Sequence, residues 1–412
     1  MRILFIYTAF AGHVYRTFRL AKQLISEGHE VNYILLAKKP PNWKLPGATV
    51  QVLGIFPMYT AFRNYPAQKT INDVLSEVAT CRSVLLDAIN AFAPNKLFVD
   101  EFCSIELHCL IPAGFADQIE VHTPFLPSIP NSGFPPQDRY GMPGPEATVL
   151  WSKHIEEQGE SISASQKLIH ALFSEHIVEL GHRIWTFNKL HPAVSGIKKI
   201  YLHDASFDFG GQPLKPWEHY GGPSIDLSRP EDVAPLLSNM VAHHLGKNPE
   251  NKLITVSFGT VIKDLVSDDS LVKFFDSLNA LAEKFKRILF IAKLPVPIAS
   301  RVKKTAVNLI FMKSLPQLFL VKQSSLLITH GGGGAVYEAL ALGIPLLVIP
   351  PKNVFDYPGN AARVVYHQVG LSLSSQSSLE AINQALEELL ANKKYTRNAQ
   401  KWAKKLAFER IV

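Results

Sequence analysis

Cysteine is scarce in this chain. Its 412 residues include three, Cys81, Cys103 and Cys109, an odd number without C-x-x-C spacing, so neither a disulfide framework nor a cysteine-based zinc site is expected. A reducing, cytoplasmic setting fits that usage. No uninterrupted apolar run approaches the roughly 18 residues that read as a membrane-spanning helix. The first stretch, MRILFIYTAFAGH, has too short an apolar run for a secretory leader and passes straight into a helical pattern, so it is expected to form a strand. No His-Glu-x-x-His motif and no paired Asp-x-Asp ligation stands out, so no metal is expected. Low-complexity tracts are also missing. The balance of 47% hydrophobic to 19% charged residues excludes a disordered chain.

Positive charge is in excess, with a net +7 and a sequence pI of about 9.1. Such a surplus would suit a phosphorylated ligand, nucleic acid or an anionic membrane surface. The lysines and arginines are scattered, apart from pairs at 303–304, 393–394 and 404–405, which does not make a nucleic-acid footprint, and no nucleic-acid partner is expected. The histidines at 170, 176, 182, 243 and 244 have no recognised ligand spacing.

The chain is longer than one hydrophobic core usually serves, so two domains of roughly 200 residues are expected. Arg2 to Tyr7 forms an apolar strand, Gly12 and His13 sit in a turn, and Phe18, Leu20, Ala21, Leu24 and Ile25 make a helical stripe ending near Gly28. Val31 to Leu36 then completes a β-α-β unit, and continuous apolar strands of this kind imply a parallel sheet covered on both faces. A further strand, Lys96 to Val99, ends at Asp100. Between His122 and Trp151 closely spaced prolines predict a long loop, followed by helical patterns over roughly Ala147 to Leu180. Tyr201 to Asp232 lacks periodicity and is rich in Gly and Pro, which places the interdomain linker there. Beyond it, strands at Leu253 to Phe258, Ile288 to Ala292, Leu309 to Met312, Leu326 to Thr329 and Leu346 to Ile349 alternate with helices, predicting a second doubly wound sheet.

The stretch THGGGGAVYEALALGIPLLVIP, residues 329 to 350, places four glycines between a strand and a helix expected near Ala335 to Leu342. Unpaired N–H groups at a helix start favour an anion, and glycine lets a phosphate approach the backbone. A G-x-G-x-x-G dinucleotide fingerprint is not met, because position 336 is Val.

His330 through Leu340, with Gly343-Ile344-Pro345, Pro350, Asp356 and Asn360-Ala361, resembles the donor-binding signature of family-one glycosyltransferases, which use UDP- or dTDP-sugars. Ser257-Phe258-Gly259-Thr260 resembles that family's S-F-G-S turn, Pro316-Gln317 its P-Q pair, Gly222-Pro223 its linker, and Gly12-His13-Val14 its first β-α-β unit. The resemblance implies a GT-B fold: two Rossmann-like, doubly wound α/β domains facing across a cleft, an acceptor domain at 1–222 and a nucleotide-sugar domain at 223–412. It implies that His330 hydrogen-bonds the diphosphate, that Gly332, Gly333, Gly334 and Ala335 form its backbone cradle, and that Glu338 binds the ribose. Thr260 would lie beside the phosphate or sugar, Asp356 would contact sugar hydroxyls with Tyr357 following it, Gln317 and Ser314 would sit near the base, and Gly12, Gly259 and Asn360 complete the donor-binding set. The donor is a co-substrate, and no cofactor is implied.

Transfer to a hydroxyl needs a base, and His13 is the candidate, with Asp100 on its other ring nitrogen to fix the tautomer. The expected reaction is a metal-free single displacement with inversion. The chain departs from the family where Ser314 replaces a base-stacking Trp, where Gly334-Ala335 replaces Asn-Ser or Asn-Thr, where Tyr357 follows Asp356 in place of Gln, and where Tyr15-Arg16 follows His13-Val14 in place of Asn-Pro. Phe10, Phe56, Met58, Tyr59, Phe62, Tyr65, Phe125 and Phe134 are candidates for an apolar acceptor pocket or for core. Taken together they point to a lipophilic or aromatic small molecule, or a lipid, as acceptor, and a lipid would bring the basic chain to a membrane surface. Two other readings remain: a sugar-nucleotide epimerase of the same fold, and a non-catalytic sugar-nucleotide binder.

Overall fold

The computed structural model describes residues 1–40, 43, 45–58, 60, 68–173, 178–179, 184–185, 189–190, 193–194, 196–259, 262–303, 305–351 and 353–408. The chain divides into two compact units, one built mainly from Met1–Gln137 and Gly141–Asp226 and the other from Leu227–Glu409 with Asp138–Tyr140.

The main sheet of the first unit is built from β1 (Arg2–Thr8), β2 (Glu30–Leu36), β3 (Ala48–Val52), β4 (Lys96–Asp100), β5 (Ile119–Thr123), β6 (Lys198–Tyr201) and β7 (Glu218–Tyr220). They form one sheet in the order β7-β6-β5-β4-β1-β2-β3, and every pairing is parallel. The chain therefore begins mid-sheet, builds outward through β3, and crosses back to lay β4 on the other side of β1. That reversal makes the β1–β4 crevice a switch point, the place where open α/β sheets bind ligands. Alternation along β1 explains why both faces are dry. Leu4 and Ile6 pack with Val74, Val78, Leu85 and Ile89 of helix Ile71–Phe92, while Ile3, Phe5 and Tyr7 pack with Phe18 and Ala21 of helix Phe18–Ser26. Each such aliphatic side chain taken from water contributes about 1.5–3 kcal/mol.

Three expectations shift here. Gly12 and His13 lie in a short helix, Ala11–Val14, and not in an open turn. The helical region after the loop is one helix, Pro145–Leu172, whose start is set by Pro145 at N1; Val178–Glu179 is strand, not helix. The expected linker is mostly part of the first unit: β6 and β7 form the sheet edge and the chain stays with that unit through Asp226. The Pro-rich loop between β5 and that helix is pinned through its carbonyls. Arg16 Nη1 and His203 Nε2 reach Pro124 O at 3.1 and 2.9 Å, Gln212 Nε2 reaches Pro127 O at 2.8 Å, and Trp151 Nε1 reaches Phe134 O at 2.8 Å. Side chains thus replace the partners that prolines deny the segment.

The second unit's strands are β8 (Lys252–Ser257), β9 (Ile288–Lys293), β10 (Leu309–Met312), β11 (Leu326–Thr329), β12 (Leu346–Val348) and β13 (Gly370–Ser372). They run parallel in the order β10-β9-β8-β11-β12-β13, so the same reversal falls between β8 and β11. Leu271, Phe275 and Leu278 of helix Asp268–Lys284 cover one face with Ile382 and Leu386. Leu237 and Val241 of helix Pro235–Lys247 cover the other. Among the described residues no helix is long and apolar enough to cross a membrane.

Candidate functional site

At the β1–β4 switch point Asp100 ends β4 and His13 follows β1. His13 Nδ1 lies 2.9 and 3.0 Å from the two oxygens of Asp100. The carboxylate is fully buried and held by the Thr8 hydroxyl at 2.8 Å and the Phe102 N–H at 3.2 Å. A carboxylate on Nδ1 keeps the proton on that nitrogen and leaves Nε2 as the lone-pair acceptor. Phe102 stacks on the imidazole at 4.4 Å, with Phe125 edge-on at 5.4 Å and Phe10 at 5.9 Å. The imidazole therefore sits in an aromatic surround, with 8% of His13 exposed. Of the other aromatic candidates, Phe56 is exposed under the Lys38 ammonium and Phe134 packs near Phe209. Met58 belongs to the core. Tyr59, Phe62 and Tyr65 lie outside the described residues, as does Thr260.

At the other switch point β8 runs into Gly259 and β11 into His330, with Ser257 and Thr329 paired across the two strands. The glycines have separate reasons. Gly331 has φ +97, and a Cβ there would stand 2.8 Å from Tyr357 O and 2.9 Å from Val348 Cγ1. A Cβ on Gly332 would come within 2.7 Å of His330 Nε2, and one on Gly259 within 2.9 Å of His330 Cε1. These two backbones clasp the imidazole, whose third wall is the Tyr357 ring at 4.5 Å. Gly333 and Gly334 open the helix Gly333–Ala341, two residues earlier than expected, with Gly332 as an N-cap that supplies no side-chain hydrogen bond. The first intrahelical bond at this end is Val336 N–H to Gly332 O. Among the described residues the N–H groups of Gly333, Gly334 and Ala335 are thus the unpaired donors of the first turn. At Gly334 a Cβ would meet no described atom within 4 Å. Gly331→Ala should accordingly lower stability by about 2 kcal/mol or more through strain and clash, whereas Gly334→Ala should raise it by about 0.5–1 kcal/mol. Thermal melts of the two variants check the pair, and equal shifts would contradict this division of roles.

Burial pushes the His330 pKa down to about 4, helped by the nearby Lys293 charge and opposed by a hydrogen bond to the Ser257 main chain. The imidazole is neutral at physiological pH.

Several expected donor residues are engaged elsewhere. Glu338, expected on the ribose, accepts from Arg229 Nη1 at 2.6 Å and from Gln317 Nε2 at 2.6 Å. Gln317, expected near the base, bridges Glu338 to the Ser257 hydroxyl, 2.7 Å away. Asn360 does not reach outward: it is wholly buried and donates to Gly331 O at 2.8 Å, because that strained turn needs its carbonyl satisfied. Asp356 is 2% exposed at the N-cap of helix Tyr357–Tyr366, and Tyr357 is 7% exposed against His330. Ser314 is exposed after β10.

Three residues were missed by the sequence reading. Arg229 holds Glu338, and Glu231 caps helix Gln317–Gln323 by accepting from Leu318 and Phe319 N–H, both at 2.9 Å. Neither leaves a periodic signal. The third, Lys293, is a single charge at the end of the apolar run ILFIAK, and that interruption was the available clue.

Residues 300–412 match the family model described as glycosyltransferase family 28 C-terminal domain. Over its length the chain is 23% identical to an uncharacterized UDP-glucosyltransferase, YdhE, of Bacillus subtilis, covering 95% of this chain and 90% of that protein. It is 24% identical to the zeaxanthin glucosyltransferase of Pantoea ananas, covering 93% and 87%. Among solved structures it is similar to a Polygonum tinctorium UDP-glucosyltransferase capable of glucosylating indoxyl, with TM-score 0.66, 14% identity and coverage of 98% and 94%. It is also similar to the calicheamicin glycosyltransferase CalG4, with TM-score 0.62, 18% identity and the same coverage. These structures share its fold.

Proposed function

We propose that this chain, a family-one-like glycosyltransferase of GT-B fold, moves a sugar from a UDP- or dTDP-sugar to a hydroxyl of a lipophilic or aromatic small molecule, with inversion. The observation that carries the reading is the His13–Asp100 pair at the first sheet's switch point. With Nδ1–H held by the carboxylate, Nε2 takes the proton of the acceptor hydroxyl as its oxygen attacks the anomeric carbon, and Asp100 stabilises the imidazolium that forms. A base that activates the acceptor directly supports a single displacement, hence inversion.

The departing diphosphate settles on the unpaired N–H groups of Gly333, Gly334 and Ala335, where the helix dipole opposes its charge. That arrangement asks for no metal and no cofactor. His330 lines the same turn. Glu338 retains lone pairs for the ribose hydroxyls beyond the two bonds it already accepts, since a carboxylate offers about four acceptor sites. Phe10, Phe102 and Phe125 around His13 support an apolar or aromatic acceptor, and the zeaxanthin and indoxyl named for two of the similar proteins are of that kind.

The test is incubation with a panel of UDP- and dTDP-sugars, with and without aromatic and polyene alcohols, following nucleotide release. Acceptor-dependent release of UDP or dTDP is expected. Tight nucleotide binding without release across the panel would mean a binding protein.

A further inference from the structure

Strands β9 and β10 end side by side, with Lys293 in register with Met312 and Lys313 following. Their carboxyl edge borders a cavity of about 190 Å³, lined by Phe258, Gly259, Phe275, Val296 and both lysines. Lys293 is half-buried, and burial lowers its pKa. Its ammonium has one described partner, the Gly259 carbonyl at 3.0 Å. Among the described residues neither lysine forms an ion pair. An ammonium has three donors and no acceptor, and a partly desolvated one without a counter-ion is unfavourable unless something anionic is to complete it.

Gly259 ties this cation to the glycine turn. Its carbonyl holds Lys293, while its α-carbon lies against the His330 ring closely enough that a Cβ would stand 2.9 Å from Cε1. The ammonium and the imidazole share one neighbourhood, which is why the lysine's charge depresses the pKa of His330. A pyrophosphate brings about two negative charges. The helix start offers roughly half a positive charge, and His330 is neutral with its ring bonded to the Ser257 main chain.

We propose that Lys293 is the cation of the donor site, its ammonium pairing with the pyrophosphate of the nucleotide sugar, with Lys313 extending the same anion-binding cavity. This rests on the donor reading of the glycine turn and adds to it a charged residue at the end of a different strand. On departure of the nucleoside diphosphate the charge on the bridging oxygen grows, so a cation there favours the transition state over the ground state.

Lys293→Met, which keeps the stem and removes the charge, should weaken binding of UDP or dTDP by about 10- to 100-fold in isothermal titration, the range for a charge-assisted hydrogen bond. Binding of uridine or thymidine should change less than about twofold, because they lack the pyrophosphate. Lys293→Arg should retain most of the affinity, and Lys313→Met, at an exposed position, should lose about two- to fivefold through partial screening. Thermal melts establish that the variants are folded. If the wild type binds neither diphosphate, the donor reading and this inference fall together. If the wild type binds and Lys293→Met binds equally well, or loses nucleoside affinity in the same proportion, the inference falls alone.

Discussion

Replacing His13 by alanine should lower kcat by about 10²- to 10⁴-fold, the usual contribution of a positioned general base, while the affinity for UDP or dTDP changes less than twofold. The separation follows from where the residue sits. His13 belongs to the first unit and every proposed diphosphate contact to the second, so removing the imidazole leaves the anion's partners intact. Asp100→Asn should lower kcat comparably, because an amide can place its NH₂ against Nδ1 and turn the tautomer round, with the proton on Nε2. That variant also keeps only one acceptor oxygen for the Thr8 hydroxyl and the Phe102 N–H, which use different oxygens of Asp100, so some stability goes with it. The diagnostic is the split between turnover and binding: kcat should fall in His13→Ala while the Kd for UDP or dTDP, read by isothermal titration, holds. A variant that turns over at wild-type rate would remove His13 as the base.

Much of this was legible in the chain because period and punctuation agree locally. The first β-α-β unit announces itself through the apolar run at Arg2 to Tyr7, the stripe from Phe18 to Ile25 and the stop at Gly28. His13 and Asp100 could be placed together because each follows or ends a strand on the same carboxyl edge. That they share a crevice depends on the crossover from β3 to β4, a property of strand order and not of either segment. The glycine run showed its position at a helix start but not its internal division of labour, since the φ of Gly331 and the fit of Gly332 against His330 arise from Tyr357 and Val348, residues distant in sequence.

What escaped the sequence shares one physical cause. β7 is three residues long amid Gly and Pro, and it is strand only because β6 offers it an edge. Arg229 and Glu231 look like ordinary linker charges until the fold brings Glu338 and the start of helix Gln317–Gln323 to them. Asn360 fits the donor-binding signature by its place in the motif, whereas its amide satisfies the Gly331 carbonyl one layer behind. A signature preserves residues that shape a site as faithfully as those that touch its ligand, and only burial separates the two.

The second large effect concerns a carboxyl group that the proposed chemistry does not use. Glu106 lies wholly inside the first unit, its Oε1 accepting the Met58 N–H at 2.8 Å, near the buried thiols of Cys103 and Cys109. Burial pushes its pKa up to about 8, the Met58 hydrogen bond opposing and the Asp100 charge adding to the rise. A folded pKa above the unfolded value of about 4.3 means that this group's stability is fully present below that value and is lost as pH rises through 8. The loss over that window is about 4–5 kcal/mol, at about 1.4 kcal/mol per pH unit. His330 runs the other way in the second unit. With a folded pKa of about 4, its contribution is present above about pH 6.5 and falls as pH drops through 4, by about 3 kcal/mol. Glu106 thus draws stability from the first unit towards alkaline pH, and His330 draws it from the second towards acid. Glu106→Gln keeps an acceptor for Met58 and cannot ionise. It should match the wild type at pH 5 and melt well above it at pH 9, whereas coincident curves at both pH values would mean that Glu106 titrates with an ordinary pKa.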